Sequence, residues 1–159
     1  MKMKQTFQVR ATGLAKGDKV VSWVSSNTKI ATVSKTGKVS ALKKTGTTTI
    51  TVKIASGLSA KFKVKVQKKN VATTSLSVVN KSTGKKMPKS ISLKVKKKIS
   101  LKATVAPVTS KQGSTYSSSN KKVATVSKKG VITAKKKGTA TITVKSGKKT
   151  VKIKVKVIK

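Results

Sequence analysis

Apolar and polar positions alternate one for one along much of this chain. Phe62-Lys63-Val64-Lys65-Val66 steps between apolar residues and lysine, and Val151-Lys152-Ile153-Lys154-Val155-Lys156-Val157 repeats the pattern at greater length. Ile50-Thr51-Val52-Lys53-Ile54 keeps the same step with threonine, as do Ile99, Leu101, Ala103 and Val105. A period of two places successive side chains on opposite faces of a strand, so each run predicts a strand with one buried and one solvated face. Threonine and valine favour strands, and stretches of helical period are missing. Turn residues punctuate the runs at Thr36-Gly37, Ser56-Gly57, Lys129-Gly130 and Ser146-Gly147. Short strands separated by turns in this way predict an all-β chain of antiparallel sandwiches.

The pattern occurs twice. Ser25-Ser26-Asn27 returns as Ser118-Ser119-Asn120, and Ala31-Thr32-Val33-Ser34-Lys35 as Ala124-Thr125-Val126-Ser127-Lys128. Gly37 corresponds to Gly130 and Ala41 to Ala134; after one deleted residue, Gly46-Thr47 matches Gly138-Thr139 and Ile50-Thr51-Val52-Lys53 matches Ile142-Thr143-Val144-Lys145. An offset of 93 residues is too long for a solenoid unit and suits tandem whole domains. The expected division is a first domain over 1–67, a linker over 68–72 and a second domain over 73–159. The second domain reads as complete. The first is either an abbreviated variant or cut from a longer array: the strands expected near residues 76–78 and 91–95 have no counterpart in it, so this sequence lacks its N-terminal strand or strands. Such a loss leaves a sheet edge unpaired, and lysines along that edge blunt its tendency to pair with another chain.

Composition narrows the function more than the fold. Among 159 residues there are 40 Lys plus Arg, of which Arg10 is the only arginine, against the single acid Asp18, for a formal net charge of +39. Cysteine, histidine and glutamate are missing. Disulfides, zinc sites built on thiolate or imidazole, carboxylate pairs and calcium cages are therefore excluded, as are the usual Ser-His and Cys-His nucleophile systems. The expectation is a non-enzymatic protein without cofactor or metal. No apolar run approaches the length of a membrane-spanning helix, and no amphipathic inserting helix is visible, so membrane insertion is not expected. Met1-Lys2-Met3-Lys4-Gln5 leads into no apolar signal core, and no sorting tail follows Val157.

The ordered motifs resemble a known family. They are Trp23-Val24-Ser25-Ser26-Asn27, Ile30-Ala31-Thr32-Val33, Gly37-Lys38-Val39-Ser40-Ala41 and Gly46-Thr47-Thr48-Thr49-Ile50-Thr51-Val52. Their partners are Tyr116-Ser117-Ser118-Ser119-Asn120, Val123-Ala124-Thr125-Val126, Gly130-Val131-Ile132-Thr133-Ala134 and Gly138-Thr139-Ala140-Thr141-Ile142-Thr143-Val144. Leu101-Lys102-Ala103-Thr104-Val105-Ala106-Pro107 is similar to the family's early strand and trailing proline. The whole resembles a tandem pair of bacterial immunoglobulin-like domains of group 2, as in intimin- and invasin-like surface proteins. The resemblance implies two small Ig-like β-sandwiches on an exported or surface-attached protein of a bacterium or phage, serving as spacers, stalks or adhesive modules. Tyr116 stands where the family usually has tryptophan, and the lysine excess is not a family requirement. Membership does not fix a ligand.

Trp23 and Tyr116 occupy the same repeat position beside the Ser-Ser-Asn turn, which makes them core aromatics in preference to sugar-stacking platforms. The serines and asparagine read as turn chemistry. Ser26-Asn27-Thr28-Lys29 and Lys35-Thr36-Gly37 match motifs of penicillin-binding enzymes, but as neighbours in an all-β repeat they lack the helix and distant strand that chemistry needs. The lysines remain. Lys61, Lys63 and Lys65, with Lys152, Lys154 and Lys156, must cover solvent faces of sheets, and Lys43-Lys44, Lys68-Lys69, Lys96, Lys97 and Lys98, and Lys135, Lys136 and Lys137 form further clusters. A surface of this density should bind polyanions such as teichoic acids, anionic glycans or, without sequence preference, nucleic acid. Lysine is a hydrated point charge without the arginine fork, and aromatics are only 3%, so base reading is not expected. Two readings follow: a surface spacer or adhesion module with incidental charge, and a lysine-rich polyanion-binding module.

Overall fold

Alternation is realised as strand in every run singled out above. The computed structural model describes all 159 residues and divides into two compact units, Met1–Val71 and Ala72–Lys159. The first contains β1 (Thr6–Gln8), β2 (Val20–Ser25), β3 (Ala31–Val33), β4 (Lys38–Ala41), β5 (Gly46–Ile54) and β6 (Ser59–Val66). The second contains β7 (Ser75–Asn80), β8 (Ser90–Lys94), β9 (Lys98–Ala106), β10 (Thr115–Ser118), β11 (Ala124–Val126), β12 (Val131–Ala134), β13 (Gly138–Ser146) and β14 (Lys149–Ile158). There is no helix.

The second unit is a sandwich of two four-stranded sheets, β10-β13-β14-β8 and β11-β12-β9-β7. All pairings are antiparallel except β14 with β8, which run parallel. On β13 and β14 the inward positions meet across the ladder, Ala140 opposite Val155, Ile142 opposite Ile153 and Val144 opposite Val151. Ile142, Val144, Ile153 and Val155 are fully buried. With Ile132, Leu101, Val78 and Met87 they form one apolar cluster. Each such side chain contributes roughly 1.5–3 kcal/mol by leaving water.

The first unit has the same plan with one strand fewer in each sheet, β2-β5-β6 and β3-β4-β1. Its cluster is smaller: Ile30, Ala31, Val39, Ala41, Ile50, Val64 and Val66. As the sequence predicted, β7 has no counterpart. The strand β8 has a remnant, which the sequence reading did not anticipate. The Met3 amide donates to Gln67 O at 3.0 Å, as Val95 does to Ile158 O at 3.1 Å, and the Lys4 amide donates to Ala41 O as Lys96 does to Ala134 O. Lys2 forms an isolated parallel bridge with Gln67. The reason is local: residues 1–4 keep the apolar-lysine step of Leu93-Lys94-Val95-Lys96, and Lys4 and Lys96 share a left-handed backbone, φ 62° and 69°.

Candidate functional site

Cross-strand register turns the lysine alternation into ordered columns. On the outer face of the first unit Lys61, Lys63 and Lys65 of β6 stand opposite Thr51, Thr49 and Thr47 of β5. On the second unit Lys152, Lys154 and Lys156 of β14 stand opposite Thr143, Thr141 and Thr139 of β13. All six lysines are exposed. Alternate residues on one face lie about 6.8 Å apart along a strand, so each column is a row of evenly spaced lysines. Lysines placed this way can lay their methylene stems along the sheet while the charges reach water.

The turn lysines gather at one end of each unit. In the second unit the Ala134 amide donates to Lys97 O at 3.0 Å, and those of Lys135 and Lys136 donate to Val123 O. These bonds bring the turns carrying Lys96, Lys97 and Lys98 and Lys135, Lys136 and Lys137 to the same end, where Lys122 also lies. The Lys152-to-Lys156 column runs to that end, because Thr139, opposite Lys156, adjoins Gly138 at the start of β13. The first unit repeats the arrangement, and the sequence reading singled out only part of it. Lys4, Lys29, Lys43 and Lys44 surround an open depression of about 740 Å³ floored by Ala41 and Leu42. Their counterparts at offsets of 92 and 93 are Lys96, Lys122, Lys136 and Lys137. Applying the repeat offset to the lysines, and not only to the apolar motifs, would have found Lys4 and Lys29.

Trp23 and Tyr116 sit on β2 and β10, opposite Val52 and Val144. Both are half-buried and pack against the apolar cluster of their own unit. Each ring lies over a glycine. A Cβ on Gly37 would stand 3.1 Å from the Trp23 ring and 2.6 Å from Val9 O; one on Gly130 would stand 3.1 Å from the Tyr116 ring and 3.0 Å from Leu101 O. Trp23 also forms one wall of an open apolar cleft of about 410 Å³.

The Ser-Ser-Asn segments are turns in both units. Ser25 Oγ donates to Ala31 O at 2.7 Å and Ser118 Oγ to Ala124 O at 2.6 Å. Asn27 Oδ1 accepts from the Lys29 amide, and Asn120 Oδ1 from the Lys122 amide. Ser26 Oγ accepts from the Thr49 amide at 3.0 Å, a turn bond and not the setting of a nucleophile. The one carboxylate, Asp18, accepts from Ser56 Oγ at 2.6 Å and from the Lys19 and Ser56 amides. The Ser56 hydroxyl, with these amides, holds its carboxyl below the ordinary range. A buried hydroxyl pair, Thr73 and Ser146, had no signal in the alternation. Their Oγ atoms lie 3.0 Å apart, and the Thr73 amide donates to Gln112 Oε1 while Ser146 Oγ donates to Gln112 O, tying the loop before β10 to β13.

With that geometry in place, comparison with known proteins gives a family. The model of the bacterial Ig-like domain (group 2) matches residues 1–64 and 85–157. A search of curated proteins gives no match at the significance required. Among solved structures, domains 1–6 of the surface-layer protein SbsC align at 23% identity over 93% of this chain and 21% of that one, with TM-score 0.46. Domains 4 and 5 of SbsC align at 22% identity over 97% of this chain and 80% of that one, TM-score 0.47. A C-terminal fragment of intimin, in complex with the intimin-binding domain of the translocated intimin receptor, aligns at 19% identity over 94% of this chain and 54% of that one, TM-score 0.35. The chain thus spans about a fifth of the first of these structures, 21%.

Proposed function

From the premise that this chain belongs to the bacterial Ig-like domain (group 2) family, we propose that it is a non-enzymatic structural and adhesive module of a bacterial surface or secreted protein. The observation that carries this reading is the duplicated sandwich itself. Its polar side chains are spent on turns and sheet faces, and its inventory holds no histidine, cysteine or glutamate with which to assemble a reacting centre. Repeated sandwiches serve such a role because each unit brings its own core and presents its loops at fixed positions.

A second reading is favoured by one further observation, the lysine end that recurs at equivalent positions in both units. Lys4, Lys29, Lys43 and Lys44, and Lys96, Lys122, Lys136 and Lys137, would engage an anionic polymer such as a teichoic acid or an acidic glycan. Nucleic acid would bind only through its phosphates, indifferent to sequence.

Titration of the full chain against teichoic acid, heparin, duplex DNA and a neutral polysaccharide over a range of salt separates the two. Replacing Lys43, Lys44, Lys136 and Lys137 by alanine should weaken polymer binding more than replacing Lys63, Lys65, Lys154 and Lys156, if the lysine ends are the site. Equal losses, with all binding gone at physiological salt, would leave the spacer and adhesion reading alone.

A further inference from the structure

The outer face of the second unit's sheet β10-β13-β14-β8 carries one row of cations between rows of hydroxyls. On β14, Lys152, Lys154 and Lys156 lie on this face, because Ile153, Val155 and Val157 are buried on the other. On one side stands β13, where Thr143, Thr141 and Thr139 lie opposite those lysines in turn. On the other stands β8, where Ser90 lies opposite Lys154 and Ser92 opposite Lys156. Beyond Thr143, Ser117 of β10 extends the hydroxyls by one more strand. The next outward position of β14, Ile158, has the exposed Lys94 beside it on β8, which leads into the turn of Lys96 and Lys97. The row therefore runs from the middle of the sheet to the lysine end of the unit.

The width of the row decides what fits it. Neighbouring strands lie about 4.8 Å apart, so the cations form a line one strand wide with hydroxyls at that distance on each side. A bilayer or a duplex presents phosphates in two dimensions and would set many of them against serine and threonine. A single unbranched polyanion matches the line along its length. Hydroxyls both donate and accept, so the flanking rows can bond the free oxygens of a phosphate and the hydroxyls of a spacer between phosphates. The face carries no aromatic side chain, since Tyr116 of β10 packs against the apolar cluster. The bases of a single-stranded nucleic acid would have nothing to stack on, and the rings of an acidic glycan no platform. The first unit departs from this pattern: beyond Thr51, which lies opposite Lys61, stands Val24, 54% exposed, in the place of Ser117.

We infer that this row is a track for one unbranched chain of polyol units joined by phosphodiesters, lying along β14 from Lys152 through Lys156 and on to the lysine end. The inference rests on the polyanion reading of that end and adds to it a ligand class and a path across the sheet. The clustered lysines of the end supply most of the charge and so most of the affinity. The row selects a chain narrow enough to follow it. Lysine meets each phosphate as a point charge, without the fork that would fix one orientation, which suits a flexible polymer held in a line.

The test uses the full chain and purified poly(glycerol phosphate), with single-stranded oligothymidylate and heparin of matched charge as comparisons. A relocated variant, Lys152→Thr, Lys154→Thr, Thr115→Lys and Ser117→Lys, keeps the net charge of +39 while moving two cations from β14 to β10. All four positions are exposed, and calorimetry checks that the variant folds. The unaltered chain should bind poly(glycerol phosphate) at least about fivefold more tightly than either comparison. The relocated variant should lose about tenfold in that affinity. Its slope of log K against log salt should shrink by about 1.4, the value for two phosphates of a single chain. Its affinity for heparin should not change. In the unaltered chain, the side-chain NMR signals of Lys152, Lys154 and Lys156 should move together as the polymer is added, a readout that needs no variant. Equal affinity of the two forms for poly(glycerol phosphate), unmoved lysine signals, or equally tight binding of oligothymidylate or heparin would overturn the inference. If Lys136→Ala with Lys137→Ala still weakens binding in that case, the polyanion reading stands without the track; if it does not, both fall.

Discussion

The packing of each aromatic over a glycine makes a sharp prediction for Gly130→Ala. Gly130 has φ +78°, and an added Cβ would lie 3.0 Å from Leu101 O and 3.1 Å from the Tyr116 ring. The left-handed backbone alone costs an alanine about 1–2 kcal/mol. Crowding in a packed site adds about 1–3 kcal/mol, because the carbonyl belongs to a paired strand and the ring is held against the cluster. The expected loss is about 2–5 kcal/mol, and at about 3 kcal/mol the melting temperature of a unit of this size falls by roughly 12–24 °C. Gly84 supplies the control in the same unit: φ is +68° and nothing lies within 4 Å of the added Cβ. Gly84→Ala should therefore lose only the backbone contribution, about 1–2 kcal/mol. Calorimetry of the two variants, with hydrogen exchange at β12 and β13 to read the second unit by itself, measures the difference. If Gly130→Ala costs no more than Gly84→Ala, the ring-over-glycine contact contributes nothing and the argument fails.

Three further outcomes are expected. Thr48→Ala should destabilise the first unit by about 1–3 kcal/mol, because the Asn27 amide loses its acceptor in a part-buried site; Thr48 Oγ1 takes that bond at 2.9 Å and lies 3.0 Å from Ser25 Oγ. Urea unfolding followed by Trp23 emission reads it, and no change would mean that water serves the amide equally well. Raising ionic strength should raise the melting temperature of the whole chain, since a +39 surface with one acid repels itself; a flat or falling melting temperature from low to moderate salt contradicts this. Asp18 has its carboxyl held below 3.8 by the Ser56 hydroxyl and neighbouring amides. Its contribution is thus present above that value and lost as pH falls through the lowered one, and Asp18→Asn should flatten the acid limb of the first unit's stability profile. An unchanged limb would show that the Ser56 bond does not survive in solution.

Most of the fold was legible because its two determinants are local. The period of two fixes which face of each strand is buried, and glycines at 37 and 130 fix where the turns under the aromatics fall. Repetition supplied the rest, since a motif seen twice at a constant offset separates constraint from accident. What escaped the pattern was set by distant partners. The short run at residues 1–4 reads as a ragged start, yet Gln67 and Ala41 give its amides strand-like acceptors. Val9-Arg10-Ala11-Thr12 has the step of a strand and forms none, because a strand needs a neighbour and the first unit lacks β7. The convergence of Lys96 with Lys136 is likewise invisible along the chain, because it depends on which turns share an end of the sandwich.

The lysine excess also bears on the sheet edges. An exposed sheet edge is a template for any chain that can pair with it. On β6 of the first unit, the edge corresponding to the β8 side of β14 reads Lys63-Val64-Lys65-Val66, and residues 1–3 already cover its far end through their bonds with Lys65 and Gln67. Two such edges brought together would set lysine near lysine with no acid to relieve them, and like charges across a ladder destabilise pairing. The same charge that discourages self-association favours a strand of opposite charge. Burial is not sacrificed to obtain this, because Val64 and Val66 still point inward, 6% and 1% exposed. An alternating sequence keeps the two requirements on separate faces: valine decides that the unit folds, and lysine decides the charge its sheet edges present.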